Sequence, residues 1–149
     1  MLSCVILFLF AYCSNNRNDN NSISKIQKGF SFETKDTSIN YYLEGISTEG
    51  TEIKASYSNK KIVECEINIF GETGQAKIIY KFTSKNIIVS QKQYRYKKQL
   101  DEVKSQNDMK LSNNIEYIID YKGNIIGKKP NEMIDIFSEL KKKIPFKLK

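Results

Sequence analysis

The sequence is most informative in what it lacks. Its 149 residues include no histidine and no tryptophan, and only three cysteines and two prolines. Without histidine, the chain lacks the commonest general base and the commonest metal ligand. A few thiols and scattered carboxylates do not make a metal site. No metal or other cofactor is therefore expected, and the protein is not expected to be an enzyme.

Composition and charge fit one soluble globular domain. Hydrophobic residues make up 40% and charged residues 28% of the chain, which is ordinary for such a domain. A chain of this length buries a core that needs no disulfides. The net charge of +7 and the pI of about 9.2 favour anionic partners or surfaces.

The N-terminal segment has the pattern of an export signal. An unbroken apolar run, Val5–Ala11, is shorter than the roughly 20 residues that a membrane-spanning helix needs, but it suits the centre of a secretory signal. The polar tract Ser14–Ser22 has no apolar residue and is predicted to be a flexible tether. The alternative is that the apolar run is a buried strand or helix of the core.

An apolar segment, a cysteine and a polar tether resemble the signal of bacterial lipoproteins. The resemblance implies that Cys13 becomes the lipid-bearing first residue, with residues 1–12 as signal, 13–22 as lipidated tether and 23–149 as the domain. Tyr12 stands where that family has a small residue, and the positive segment at the start is missing. We expect a membrane-anchored protein of the cell envelope or periplasm; the alternative is a secreted one.

The segment Lys61–Phe82 is predicted to be a β-hairpin. Apolar and polar residues alternate in both arms, the period of a half-buried strand, and Gly71 and Gly74 are expected to supply positive φ values in the loop. One register suits both faces. It pairs Val63–Phe82, Cys65–Tyr80, Ile67–Ile78 and Ile69–Ala76 on the apolar side, and Glu64–Lys81 and Asn68–Lys77 on the polar side.

A corner motif occurs three times: an aromatic residue, a polar turn and two β-branched residues. The copies begin at Tyr57, Phe82 and Tyr121, and each is typical of a hairpin corner. The fold class is therefore predicted to be α+β: a curved antiparallel β-meander of five to seven strands, built from repeated hairpins, with one C-terminal helix packed on it.

The remaining elements follow from local patterns. A strand is predicted to open at Tyr41–Leu43, and others at Asn86–Tyr96 and Ile115–Tyr121, with Lys97–Asn114 as a mobile excursion. Asn131–Lys143 is predicted to be a helix, because its apolar residues share one helical stripe. That stripe consists of Met133, Ile136, Phe137 and Leu140.

The central stretch also resembles a group of small bacterial lipoproteins. In these, an I-x-x-x-G-E-x-G segment precedes a Y-x-F strand. The matching residues are Ile67, Gly71, Glu72, Gly74, Tyr80 and Phe82. The resemblance covers residues 49–127 and implies a fold and an envelope location, without an activity.

Two features have the residue types of catalytic groups. Glu64 and Glu66 share one strand face, as paired catalytic carboxylates sometimes do, but pairing with Lys81 and neighbouring lysines is the preferred interpretation. Cys65 lies on the inward face, and no histidine is present to activate it. A buried structural thiol is expected.

Basic and aromatic residues are interleaved after Gln91. The candidate binding surface consists of Lys92, Tyr94, Arg95, Tyr96, Lys97 and Lys98. Nucleic-acid platforms have this composition, but an exported protein is not expected to meet nucleic acid. The other interpretations are an amphipathic strand with packed tyrosines, or a surface for an anionic glycan, a lipid headgroup or an acidic protein. The lysine-rich C-terminal tail is expected to add attraction to an anionic leaflet.

These features predict a non-enzymatic binding module of the envelope. Its expected partners are the membrane, through the lipid anchor, and an envelope or secreted protein, as for inhibitors and immunity proteins. The alternative is a carrier or sensor of an amphipathic or anionic small ligand, held in the concave face of the sheet.

Overall fold

The computed structural model describes residues 36–149. The predictions for the signal segment, for lipidation of Cys13, for the tether and for residues 23–35 lie outside the described residues.

Seven antiparallel strands follow one another in chain order across an open, curved sheet. The elements are β1 (Thr37–Tyr42), β2 (Thr51–Ser58), β3 (Lys61–Phe70), β4 (Gly74–Phe82), β5 (Ile87–Tyr96), β6 (Met109–Ile119), β7 (Ile125–Ile126) and α1 (Phe137–Lys143). Short 3₁₀ turns cover Leu100–Glu102 and Gln106–Asp108. The predicted β-meander with one C-terminal helix is confirmed.

The core lies between one face of the sheet and the C-terminal segment. Alternate residues of the strands are buried there because successive side chains point to opposite faces. Phe137 and Leu140 of α1 are 3% and 0% exposed and belong to the same cluster as the strand residues. The rings of Tyr80 and Phe137 are 5.5 Å apart. The helix therefore covers the sheet, as its apolar stripe predicts.

The register of the central hairpin is confirmed over its paired length. The β3–β4 ladder begins at Glu64–Lys81 and continues through Cys65–Tyr80 to Phe70–Gln75. The predicted pair Val63–Phe82 is not part of this ladder. On the other side of β3, Tyr57 pairs with Ile62 while Ser56 pairs with Glu64. This β-bulge makes Val63 an extra residue, and it buries Ile62 while leaving Val63 partly exposed.

The glycines of the hairpin loop have a different role from the predicted one. Positive φ values occur at Gly45, Gly50, Gly123 and Gly127, whereas Gly71 and Gly74 do not have them. A Cβ atom at Gly74 would lie 2.1 Å from the carbonyl oxygen of Tyr94. Glycine is required there because β4 and β5 approach closely.

Three element boundaries differ from the predictions. Tyr41 and Tyr42 end β1 and do not open it. The excursion stops at Asp108, because Met109–Asn114 belong to β6 and, except for Ser112, pair with β5. Strand β6 ends at Ile119, and Tyr121 lies in the following turn. Polar residues in a ladder fixed by pairing with β5 carry little local strand signal, so sequence pattern alone missed them.

The helix is half as long as predicted, because β5 holds the preceding residues in another conformation. The Gln91 side chain accepts a hydrogen bond from Ile134 N at 2.9 Å and donates to Glu132 O at 3.3 Å. Gln93 donates to the same carbonyl at 2.9 Å, and Glu132 has a φ of 56°. Ile136 is still buried although it precedes the helix, so the first part of the apolar stripe packs without helical structure and only Phe137 and Leu140 lie in α1.

Replacement of Gln91 by methionine should therefore destabilise the segment before α1. Gln91 is fully buried, and its loss leaves the Ile134 amide without its partner, at a cost of about 1–3 kcal/mol. Urea unfolding measures the loss in the free energy of unfolding, and hydrogen exchange measures the protection of the Ile134 amide. The control Gln93→Met removes an exposed bond and should cost less than about 0.5 kcal/mol. Equal losses in both variants would show that Gln91 does not anchor the segment.

Candidate interaction surface

Strand β5 divides the predicted binding residues between two faces. Ile87, Val89 and Gln91 are buried on the core side, so the alternation places Lys92, Tyr94 and Tyr96 on the opposite face. We call this opposite face of the sheet the outer face. Arg95 is exposed and lies on the core side, beyond the end of the core. The six residues therefore do not form one surface.

Lys97 and Lys98 interact with the excursion that follows β5. Lys97 Nζ donates to Asn107 O at 2.8 Å, and Lys98 Nζ lies 2.8 Å from Asp108 Oδ1. Asp108 also accepts the backbone amides of Lys104 and Ser105. These bonds, with the Lys98 side chain as the largest cause, hold the pKa of Asp108 below its usual range. The two lysines thus fix the turn.

A bulge in β6 brings two further apolar residues to the outer face. Gln93 pairs with Asn113 while Tyr94 pairs with Leu111, so Ser112 is an extra residue, and its hydroxyl donates to Gln93 O at 3.1 Å. Without the bulge, alternation along β6 would direct Leu111 to the core side.

The outer face consequently carries an apolar strip at one end of the sheet. One row of paired residues crosses four strands in the order Phe70, Gln75, Tyr94 and Leu111. In the neighbouring row on the same face, Tyr96 pairs with Met109. Leu111 is 47% exposed, and the others are partly exposed. We call Phe70, Tyr94, Tyr96, Met109 and Leu111 the outer strip. Sequence reasoning missed Phe70, Met109 and Leu111, since Met109 and Leu111 stand among polar residues.

Two lysines lie directly opposite each other beside the outer strip. Lys77 of β4 pairs with Lys92 of β5, an arrangement that destabilises a sheet unless an anion compensates it. Lys77 Nζ lies 2.8 Å from Glu66 Oε1. Lys92 is exposed and has no ion-pair partner within residues 36–149. A positive charge thus remains available at the edge of the apolar surface.

The glutamate pair has the geometry of a solvated charged face. Glu66 is ion-paired with Lys77, and Glu64 stands opposite Lys81 in the ladder. Near Glu66, a depression of about 270 Å³ is lined by polar residues that include Asn40, Glu52, Lys54 and Asn68. Charges of both signs line it, so Glu66 is not isolated in an apolar cleft.

Cys65 is a buried residue of the core, as predicted. It is 0% exposed and pairs with Tyr80 across β3 and β4. Burial, with a smaller contribution from Glu64 and Glu66, raises its pKa to about 12. Because the thiolate is the nucleophile, this thiol is unreactive at neutral pH.

Within residues 36–149, no three cysteine, aspartate or glutamate residues are grouped as metal ligands. In the same residues, no helix has the length and apolar character to cross a membrane.

Comparison with protein-family models, curated proteins and solved structures gave no match to this chain.

Proposed function

We propose that the protein is a non-enzymatic binding module of the bacterial cell envelope, anchored through a lipid on Cys13. Its partner is a protein that presents acidic side chains beside an apolar surface. The partner binds the outer strip and Lys92. The observation that carries this proposal is the placement of partly exposed apolar residues next to Lys92, which has no ion-pair partner among the described residues, on the face opposite the core.

The composition of the outer strip supports a protein partner. Three of its five residues are aromatic, and aromatic side chains dominate the binding energy of many interfaces. Lys92 offers a charge for steering and register, and an acidic partner would also relieve the repulsion between Lys92 and Lys77.

The alternative, a carrier of a small amphipathic ligand, needs space between the sheet and the C-terminal segment. In the described part of the chain that space holds side chains: Ile136, Phe137, Leu140 and Ile144 are all at most 5% exposed. The packing therefore favours binding at the outer face over binding in the sheet interior.

Anchorage is supported by the sequence of the first 22 residues, and one measurement tests it. The intact mass of the mature protein should show loss of residues 1–12 and an added acyl mass, and Cys13→Ala should lack that added mass. A cleaved but unmodified protein would indicate a secreted one, and retention of Met1 would overturn export.

The binding surface is tested by site-specific photo-crosslinking in cells. A photoreactive phenylalanine replaces either Leu111, an exposed residue of the outer strip, or Ile126. Ile126 is a matched control, since it lies on the same face and is 51% exposed, against 47% for Leu111. We expect a discrete crosslinked protein from position 111 and none from position 126.

A charge variant shows whether that product is specific. Lys92→Glu should abolish the crosslink at position 111, whereas Lys54→Glu, an exposed lysine of the same face, should keep it. The crosslinked peptide of the partner should contain acidic residues beside apolar ones. Equal products from positions 111 and 126, or insensitivity to Lys92→Glu, would rule out the proposed surface.

A further inference from the structure

Lysines concentrate at one end of the sheet. In an antiparallel meander, alternate turns lie at the same end, so the β2–β3, β4–β5 and β6–β7 turns are neighbours. Each contains one exposed lysine: Lys60, Lys85 and Lys122. We call this end of the sheet, with its three turns, the corner end.

The C-terminal segment brings more lysines to the same place. The Ile62 amide donates to Phe146 O at 3.0 Å, and Leu148 donates to Lys60 O at 2.8 Å, which holds the tail against the β2–β3 turn. Lys141 Nζ donates to Tyr121 O at 3.3 Å, so the last turn of α1 lies at the β6–β7 turn. Lysines 141–143 and 147 are therefore exposed at the corner end.

The carboxylates at the corner end are engaged locally. Asp36 accepts the Asn59 amide at 2.8 Å, and Asp120 accepts the amides of Lys122 and Asn124. Glu139 pairs with Lys142 at 2.8 Å. Glu64 stands opposite Lys81 in the first row of the β3–β4 ladder. Lys60 Nζ also donates to Lys149 O at 3.2 Å. The lysines outnumber the acidic groups, so the corner end carries a net positive charge.

The N-terminal part of the chain joins the sheet at this same end. Asp36 N donates to Tyr57 O at 2.9 Å, and Thr37, the first residue of β1, pairs with Tyr57 beside the β2–β3 turn. Residues 1–35 precede Asp36 in the chain, so they are connected to the domain at its lysine-rich end.

We propose that the corner end is a docking surface for a membrane that contains anionic lipids. Lysines near such a surface are attracted to its negative potential, and one acyl chain anchors far more durably when a basic surface assists it. Docking would direct the corner end to the leaflet and hold the opposite end, which carries the outer strip, away from it. The orientation rests on the proposed anchor at Cys13; the lipid binding does not.

Vesicle sedimentation tests the lipid binding. The full chain carrying Cys13→Ala, which has no acylation site, is mixed with phosphatidylcholine vesicles with or without about a third of phosphatidylglycerol. We expect preferential binding to the anionic vesicles that weakens as salt rises. Lys60, Lys85 and Lys122 all changed to Gln should lower the anionic partition coefficient on the order of 100-fold, as each lysine contributes a factor of about five.

The control changes the net charge equally at other places. Lys54, Lys104 and Lys110 are exposed and lie outside the corner end, and their replacement by Gln should lower the partition coefficient less than about threefold, because screening limits each charge to about 8 Å. If the turn variant does not fold, Lys141, Lys142 and Lys143 changed to Gln replace it, with the same control.

Equal losses in corner and control variants would overturn the proposal, as would equal binding of the parent protein to neutral and anionic vesicles. If the Cys13→Ala protein binds anionic vesicles specifically but the mature wild-type protein has no added acyl mass, the docking surface stands and only the anchor is refuted.

Discussion

Replacement of Leu140 by alanine is expected to lower the free energy of unfolding by about 2–5 kcal/mol, since the site cannot collapse fully around the lost atoms. Leu140 is fully buried, in the same cluster as Tyr80 and Ile78 of the sheet, and α1 has only seven residues. Such a short helix is unstable alone and depends on packing. Urea unfolding followed by circular dichroism gives the value.

Leu111 provides a matched control of the same residue type. It is 47% exposed, so Leu111→Ala should change the unfolding free energy by less than about 0.5 kcal/mol. Leu140→Ala should leave the crosslink from position 111 unchanged under conditions where the protein remains folded. Similar stability losses in the two variants would contradict the conclusion that α1 stabilises the fold by packing on the sheet.

Replacement of Gly74 by alanine is expected to cost about 3 kcal/mol, at or above the upper end of the usual range for overpacking. The new methyl group would meet a backbone atom, Tyr94 O, at 2.1 Å, and backbone in a ladder cannot rotate away as a side chain does. Strands β4 and β5 would have to separate at the Gly74–Arg95 pair. The variant should melt at a clearly lower temperature.

Gly71, at the other end of the same loop, is the control. A Cβ atom there would lie 3.2 Å from Gly74 O, a contact that a small shift relieves. Alanine also lowers the conformational entropy of the unfolded chain, which stabilises the folded protein by about 0.4–1 kcal/mol. This gain offsets the tight contact, so Gly71→Ala should be nearly neutral. If Gly74→Ala were equally neutral, the close approach of β4 to β5 would not constrain residue 74.

The hairpin from Lys61 to Phe82 illustrates which strand pairs follow from the sequence alone and which do not. Its register follows from alternation on two faces, because a shift by one residue would move every apolar side chain to the wrong face. The pairs Cys65–Tyr80 and Ile67–Ile78 were predicted and confirmed. The bulge at Val63 was not, since it depends on how β2 pairs with β3.

The candidate surface was predicted only in part for the same reason. Lys92, Tyr94 and Tyr96 share a face, as any alternating strand requires. Their neighbours Met109 and Leu111 reach that face through a bulge, a feature of pairing between two strands that leaves no local pattern. Arg95, Lys97 and Lys98 were grouped with them by proximity in the chain, and the structure separates them.

The sequence by itself determined the meander, the three corners and the face of the C-terminal segment that is buried. These follow from periods of two and of 3.6 residues and from turn-forming residues, which act over a few residues of chain. Only the tertiary structure decided where α1 begins, which residues share the outer strip, and that the lysines of three turns and the tail meet at one end. These depend on contacts between residues far apart in sequence, such as Gln91 with Ile134 and Ile62 with Phe146, and local propensity contains no term for such contacts.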